Sequence, residues 1–356
     1  MRIVIAIVVG LVAGLSVVSP VAAPKTLTIY FIDVEGGQST LLVGPSGESL
    51  LIDAGFPGSG TFQSAPGDPA TARDANRVLA AAKDAGIGAI DNLLITHFHA
   101  DHAGSVAELS RLIPIRTFID HGTVPDTAEE NVRGTLAMFT TYAEARARGR
   151  HIEPKPGDRL NMKDLDVRIV SSAGQTITKA ISGSGEHNSA CGPAGLPAQE
   201  PNENPRSTGV LVTFGAFTFL DVGDLSGPPL FALACPRNLV GPIDVYLVAH
   251  HGGVDAADPA TFAAFRPTVA VVNNGATKGG APETLAFLQD QKNTETWQLH
   301  RSRNPGARNA SDDRIANLDT STAFWLKVVV SDGGSSFTLT NGRTNEQRTY
   351  DRSRVR

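Results

Sequence analysis

The segment THFHADHAG, residues 96–104, concentrates three of the chain's nine histidines and one aspartate within six positions. His97 and His99 alternate at the end of a predicted strand, so both imidazoles leave the same face. Asp101 and His102 follow where the backbone turns toward the next helix. Imidazole and carboxylate groups are typical zinc ligands, and two ions in such a site lie about 3.5–4 Å apart and share an activated water. The segment therefore predicts a site for one or two metal ions.

The elements that must position this segment come in two groups of strand-like runs, with helical runs in both groups. This pattern favours an α+β fold in a single domain, with two sheets packed face to face and helices outside. Residues 127–149 form the longest predicted helical stretch. Residues 172–206 are rich in Gly, Ser, Pro and Asn and predict a long loop insertion. We expect the domain to span residues 24–340, with residues 341–356 as a solvated C-terminal tail.

Three further segments occur in the order typical of one protein family. LLIDAG contains Asp53, FTFLDVGD contains Asp224, and VYLVAHHGG contains His250. Together with HFHADH they resemble the metallo-β-lactamase superfamily over about residues 26–330. The resemblance implies an αββα sandwich with the metal site at one sheet edge and with Asp53 supporting that site from behind the ligands. The metal ligands that it implies are His97, His99, Asp101, His102, Asp224 and His250.

Two of these assignments have a competitor nearby in the chain. Asp221 lies three residues before Asp224, and we favour Asp224 because the family pattern places the bridging aspartate after a glycine. His251 directly follows His250, and we favour His250 as the ligand that closes the second metal site. His251 is then a group that supports the ligands or faces the substrate.

The chain departs from most hydrolases of the superfamily at one ligand. These enzymes place a third histidine on the first metal, but the segment before TGVLV reads NENPRS and contains none. The series NENPRS, GD and AHHGG resembles the ComEC/Rec2-like subgroup, which is related to the extracellular domain of competence proteins. The candidates for the open ligand position are His121, His187, Asn202 and Asn204.

The resemblance implies a metallo-hydrolase in which Asp101 holds the second metal and orients the activated water, so Asp101 is the predicted catalytic residue. We expect zinc, with iron or manganese as alternatives, because His99 stands where the diiron oxidoreductases of this fold carry a carboxylate. The ComEC/Rec2-like resemblance favours phosphodiester substrates. A lactonase, a β-lactamase-type amide or ester hydrolase and a non-catalytic metal-binding protein are the alternatives.

Charge and composition bear on the partners. The chain is 41% hydrophobic and 19% charged, as expected of a globular protein, and its net charge is −5 without a basic run. Strong nucleic-acid binding is therefore not expected, since phosphate contacts need Lys and Arg, and a small-molecule substrate is favoured. Lys278 is a candidate contact for an anionic substrate, although turn chemistry explains its segment equally well. His300 either lines the site or packs beside Trp297.

The N-terminus has the features of a targeting segment. Residues 1–23 combine a positive start, an apolar run and small residues, which predicts a secretory signal peptide cleaved near Ala22 or Ala23. We therefore expect an exported protein, periplasmic or secreted, without a membrane span in the mature chain. Export permits a disulfide, and we favour a bridge between Cys191 and Cys235 over two separate buried thiols, because both lie in loops rich in Pro and Gly.

Overall fold

The computed structural model describes residues 25–58, 71–181, 184–192, 202–256 and 258–352. The predicted signal peptide lies outside these ranges, and so do parts of the predicted loop insertion. None of the helices within these ranges has the length and hydrophobicity needed to cross a bilayer.

Two mixed sheets, each of nine strands within the described residues, form the centre of the fold. In spatial order, the first sheet contains β18 (Gln347–Asp351), β17 (Ser336–Asn341), β16 (Leu326–Val330), β1 (Leu27–Phe31), β2 (Thr40–Val43), β3 (Ser49–Ile52), β4 (Ile90–Leu94), β5 (Ile115–Ile119) and β6 (Arg150–Ile152). The second contains β15 (Ile315–Asn317), β14 (Glu295–His300), β13 (Val269–Val272), β12 (Val245–Leu247), β11 (Phe217–Asp221), β10 (Gly209–Phe214), β8 (Asp166–Ser172) and β7 (Arg159–Leu160), with β9 (Gln175–Thr176) paired to β8. Each sheet combines antiparallel strands with a parallel run, β3 to β6 in the first and β11 to β15 in the second.

The central strands of the two sheets are buried on both faces, and alternate residues enter different cores. In β1, Leu27 and Ile29 pack into the core between the two sheets, whereas Tyr30 packs against the outer helices. In β13, Val271 enters the central core and Val272 the outer core of the second sheet. This two-residue alternation explains why the strand segments read as continuous apolar runs in the sequence.

Eight helices within the described residues cover the outer faces of the sheets. They are α1 (Arg73–Asp84), α2 (Ala100–Ala103), α3 (Val106–Leu112), α4 (Ala128–Arg133), α5 (Thr135–Arg146), α6 (Gly227–Ala234), α7 (Pro259–Phe265) and α8 (Pro282–Gln289). Apolar side chains of α1, α3 and α5 share a core with the first sheet, and those of α6, α7 and α8 share one with the second. The layers are therefore helix, sheet, sheet and helix, which confirms the predicted αββα sandwich.

The predicted helix over residues 127–149 is divided in two. Thr127 caps α4 by accepting a hydrogen bond from the backbone N–H of Glu130. Gly134 adopts φ +73° and so ends α4 at the point where α5 begins. Glu130, in the first of the two helices, contacts His99 of the predicted metal site.

Two regions that read as irregular in the sequence are joined to the sheets. Residues 347–351 of the predicted tail form the edge strand β18, where the ring of Tyr350 stacks on Phe337 at 4.9 Å. In the predicted loop insertion, Cys191 is linked to Cys235 by a disulfide, as predicted. The bridge joins the described part of that insertion to the end of α6.

The candidate metal ligands and the supporting Asp53 lie where parallel strands end. Asp53 follows β3, the HFHADH signature follows β4, Asp224 follows β11, and both late histidines follow β12. Carboxyl ends of parallel neighbours meet at one edge of a sheet. Because the two sheets face each other, these loops converge on one site.

Candidate metal centre

The four side chains of Asp101, His102, Asp224 and His251 converge in a buried cluster, and the ligand atom of each lies within 4.8 Å of the others. His251 Nε2 lies 3.1 Å from Asp101 Oδ2 and 3.2 Å from Asp224 Oδ1. His102 Nε2 lies 3.3 Å from Asp101 Oδ2 and 3.2 Å from Asp224 Oδ2. Ligand atoms around one tetrahedral zinc ion are about 3.4 Å apart, as bond lengths of about 2.0–2.1 Å require. The cluster therefore has the donor types and spacing that fit a divalent ion.

His97 and His99 lie beside this cluster and form a second group of donors. His97 Nε2 lies 3.0 Å from His99 Nδ1 and 3.8 Å from Asp224 Oδ2. Asp224 thus contacts both groups of donors, with His102 in the first group and His97 in the second. The loop after β11 approaches them closely because Gly223 has φ +56°, and a Cβ there would lie 2.7 Å from Thr96. This contact gives a physical reason for the glycine that precedes Asp224.

In His97, His99 and His102, the second ring nitrogen contacts an oxygen atom of a neighbouring side chain. Asp53 Oδ2 lies 2.7 Å from His102 Nδ1, Thr96 Oγ1 lies 3.1 Å from His97 Nδ1, and both Glu130 carboxylate oxygens lie 3.2 Å from His99 Nε2. Such partners fix the orientation and the tautomer of a metal-binding histidine. The support predicted for Asp53 thus corresponds to its contact with His102.

The electrostatics of the cluster suit a cation. Burial would raise the pKa of Asp101, but Lys278 and His102 outweigh it and hold that pKa well below its usual range. Burial likewise opposes ionisation of Asp224, yet three neighbouring histidines keep its pKa well below the usual value. Burial would lower the pKa of His102, but Asp224 and two further aspartates raise it well above 6.5. Two ionised carboxylates therefore contact a protonated His102, and a metal ion bound here would displace the proton from the ring nitrogen that faces them.

The two late histidines take opposite sides of Asp224. His251 joins the four-residue cluster, while His250 Nε2 lies 3.7 Å from Asp224 Oδ2. His250 Nδ1 lies 2.9 Å from both carboxylate oxygens of Asp255, five residues later. The sequence favours His250 as the ligand that closes the second site. In the structure, His251 is the one of the two that contacts Asp101.

Asp221 stands apart from the cluster. Its carboxylate accepts hydrogen bonds from Gln38 Nε2 at 2.9 Å and from the backbone N–H of Gly223 at 3.0 Å. Burial raises its pKa to about 7, with Asp53 adding to the effect, although Gly223 opposes it. Asp221 therefore supports the loop that carries Asp224.

The candidates for the open ligand position are placed differently. His121 Nε2 lies 2.9 Å from Glu203 Oε2, the exposed His187 pairs with Arg237 in a β-bridge, and Asn202 donates to Glu129. Asn204 reaches the site, with Nδ2 3.4 Å from His250 Nε2. The NENPRS segment thus enters the centre through Asn204.

Other contacts were not evident from the sequence. Glu130 and Asp255 hold His99 and His250, but Glu130 is 31 residues from its partner and no motif marks it. Lys278 Nζ donates to Asp101 Oδ2 at 2.5 Å and to the carbonyl oxygen of Gly36 at 2.8 Å. The sequence names Lys278 as a candidate contact for an anionic substrate because it follows a strand end, but it does not predict the contact with Asp101.

His300 belongs to a separate buried network. His300 Nε2 lies 2.7 Å from Asp33 Oδ1, and Arg77 binds both Asp33 and Glu35. These side chains contact one another and hold the loop after β1.

A comparison with models of known protein families found a match that covers part of the chain. Residues 33–188 match the model of the metallo-beta-lactamase superfamily, while no curated protein sequence matches the chain. The solved structures with similarity include a mutant of the beta-hydroxylase CmlA from Streptomyces venezuelae, at 17% identity and a TM-score of 0.42, covering 78% of this chain and 53% of that chain. This chain therefore spans about half the length of that protein.

Two further structures are similar to a comparable degree. The metallo hydrolase Igni18 from Ignicoccus hospitalis KIN4/I is 14% identical with a TM-score of 0.42, and the match covers 79% of this chain and 97% of that one. Metallo-beta-lactamase SMB-1, bound to 2-mercaptoethanesulfonate, is 14% identical with a TM-score of 0.39, and the match covers 68% and 93%.

The segment matched by the family model includes Asp53 and the whole HFHADH signature, and the structure brings both to one buried site. Residues 33–188 of the chain are thus similar to the metallo-beta-lactamase superfamily, and the buried cluster of Asp101, His102, Asp224 and His251 forms a candidate metal site.

Proposed function

We propose that the protein is an exported zinc-dependent hydrolase with a two-metal site that cleaves phosphodiester bonds in small molecules. One observation carries the two-metal part of this proposal. Asp224 is 2% exposed, and its Oδ2 lies 3.2 Å from His102 Nε2 and 3.8 Å from His97 Nε2, which belong to different donor groups. A carboxylate in that position can bridge two ions.

The donor set favours zinc. The residues that would hold the ions are His97, His99, Asp101, His102, Asp224, His250 and His251. Imidazole and carboxylate ligands suit zinc, and iron and manganese accept them as well. The metal content of the purified protein decides between these ions.

When bound, two divalent ions lower the pKa of a water molecule toward neutrality and polarise the bond to be cleaved. Asp101 is the residue that we assign to orient that water, because its Oδ2 lies 3.3 Å from His102 Nε2 and 3.1 Å from His251 Nε2, next to the partly exposed Lys278. Asp53 keeps the proton of His102 on Nδ1, so that Nε2 is available as a ligand. Asp53, Asp101 and His102 are at most 8% exposed, which strengthens the electrostatic interactions among them.

The substrate assignment rests on charge and on the NENPRS segment. Lys278 places an ammonium group next to Asp101, and its side chain is 42% exposed, so it can meet a substrate anion. Asn204 brings an amide to the same centre, and its segment carries the ComEC/Rec2-like resemblance. A net charge of −5 favours a small anionic substrate over a nucleic-acid polymer.

Export is supported by two features. Residues 1–23 have the pattern of a signal peptide, and the Cys191–Cys235 disulfide is of a kind that persists in oxidising compartments. We therefore propose a periplasmic or secreted protein.

The test is hydrolysis of bis(p-nitrophenyl) phosphate by the purified protein, before and after chelation and after zinc is restored. We expect turnover that chelation removes and zinc restores. Asp101→Ala should abolish it, while the matched control Asp319→Ala, at an exposed loop position, should not change it. Cleavage of a lactone or a β-lactam without phosphodiester cleavage would overturn the substrate assignment. Inactivity of zinc-loaded protein on all three classes would favour a non-catalytic metal-binding protein.

A further inference from the structure

A cavity of about 740 Å³ lies at the edge of the second sheet that is opposite the metal centre. It is lined by residues that precede β12 and β13 and by the connection from α8 to β14. These three strands are parallel, and the candidate metal ligands follow strand ends, so a cavity at the strand starts is separate from the metal centre. Its volume falls within the range of small-molecule sites, about 300–1,000 Å³.

The walls of this cavity include two aromatic rings. Phe262 of α7 and Phe287 of α8 line it, and their rings meet edge to face with centroids 5.1 Å apart. Phe262 is buried in the outer core of the second sheet, and Phe287 is partly exposed beside it. Pro259 and Pro267 add further apolar surface. Because aromatic rings pack favourably on other rings at such edges, the walls suit a flat apolar group.

The charges that line the cavity are mainly positive. Arg266 and Lys292 line it and are exposed, and within the described residues neither takes part in an ion pair. Of the described residues that line the cavity, Asp244 alone is acidic, and its Oδ1 lies 2.9 Å from Nε of Arg352. Two cationic side chains therefore remain without an acidic partner at this cavity, in a chain whose net charge is −5.

The neighbouring helix ends do not account for both cations. Arg266 follows α7 in a left-handed conformation, with φ 43° and ψ 55°, where glycine is the usual residue. A positive charge there also interacts favourably with the helix dipole, but this effect is confined to the last turn. Lys292 lies two residues beyond Asp290, the residue that ends α8. A ligand at the cavity gives both side chains a common reason.

We propose that this cavity binds a small molecule in which an aromatic ring carries a carboxylate. The ring lies against Phe287 and the prolines, and the carboxylate contacts Arg266 and Lys292. Arginine can bind a carboxylate through two parallel hydrogen bonds, and burial of the ring against apolar walls favours such a molecule over an inorganic anion. The site is additional to the proposed hydrolase centre and does not depend on it.

Isothermal titration calorimetry of the purified full-length protein with 2-naphthoate tests the proposal. We expect a Kd of about 1 mM or lower, as the size of this probe allows. The neutral analogue 2-naphthalenemethanol keeps the ring and lacks the charge, so it should bind at least about 10-fold more weakly. No binding of 2-naphthoate, or equal binding of both compounds, would overturn the proposal.

Variants show whether the probe occupies this cavity. Arg266→Gly suits the left-handed backbone, and Lys292→Met keeps the length of the side chain. Each should weaken binding of 2-naphthoate about 10-fold, as the loss of one charge-assisted hydrogen bond predicts. Ala263→Trp introduces a large ring from an exposed position of α7 that lines the cavity, and it should abolish binding. The matched control Lys83→Met removes an exposed lysine of α1 and should leave the Kd unchanged.

Two outcomes of this series contradict the assignment. Binding that survives Ala263→Trp would place 2-naphthoate elsewhere on the protein. Binding that neither Arg266→Gly nor Lys292→Met weakens would show that the cavity does not read charge, and that both cations serve other purposes. Circular dichroism melting checks that each variant is folded. No hydrolysis is measured, so failure of the proposed function and failure of this site are distinguishable.

Discussion

Asp53 Oδ2 lies 2.7 Å from His102 Nδ1, and both side chains are fully buried. Asp53 also accepts hydrogen bonds from the backbone N–H and from the hydroxyl of Thr96, at 2.8 and 2.7 Å. The loop after β3 is thereby tied to the loop after β4, and the ring of His102 is fixed with Nε2 toward Asp224. The protein's own side chains thus fix the orientation of this ligand.

Asp53→Asn should weaken zinc binding at the position that contains His102. Asn accepts the left-handed φ of +58° found at residue 53, but it lacks the charge that raises the basicity of His102. We expect a 10–100-fold loss of affinity, measured by competition with a chromogenic zinc chelator. An unchanged affinity in a folded variant would show that the contact serves the fold alone.

The sequence predicts the signature ligands well because they are consecutive residues at one strand end. His97, His99, Asp101 and His102 need only the end of β4 and one turn of helix to converge. The layers follow equally directly, since runs such as VAVV in β13 must be buried on both faces.

Other features depend on backbone geometry or distant contacts. No pattern in AHHGG shows that two consecutive histidines are left-handed, so the sequence cannot decide which of them contacts Asp101. Glu130 reaches His99 because Gly134 divides the predicted helix, and a helical period continues across that glycine in the sequence. Strand β18 was read as a tail because its residues are polar, as is typical of a sheet edge.

Asp221 should make the stability of the metal-free protein depend on pH. Burial raises its folded-state pKa to about 7, while the unfolded value is about 3.9. The stabilisation that comes with its protonated form is therefore complete below about pH 4 and is lost as the pH rises through about 7. Asp221→Asn stays neutral and should escape this loss.

Urea unfolding of chelator-treated protein between pH 4 and 8 measures the effect. The free energy of unfolding of Asp221→Asn, relative to that of the original protein, should increase with pH across this range. Each unit of pKa difference corresponds to about 1.4 kcal/mol. A difference that stays constant with pH would mean that Asp221 is ionised throughout. The substitution leaves a carbonyl oxygen to accept the hydrogen bond from Gln38.

Loss of the disulfide should destabilise the protein. Cys191 and Cys235 are 44 residues apart, and closing a loop of that length restricts the unfolded chain by up to about 4 kcal/mol. The double variant Cys191→Ala with Cys235→Ala should therefore unfold at lower urea concentration. Reduction of the original protein should have the same effect and should leave the double variant unchanged. Equal midpoints for all forms would contradict this expectation.

Lys278 should select for negative charge in the substrate. Its ammonium donates to Asp101, and its side chain is 42% exposed, so it can also meet an anion that enters the site. A charge-assisted hydrogen bond contributes about 1.5 kcal/mol, so Lys278→Met should raise KM for bis(p-nitrophenyl) phosphate about 10-fold and leave KM for neutral p-nitrophenyl acetate unchanged. The control Lys327→Met removes a lysine that binds Asp84 instead and should affect neither substrate. An equal rise for both substrates would show that Lys278 shapes the site without reading charge.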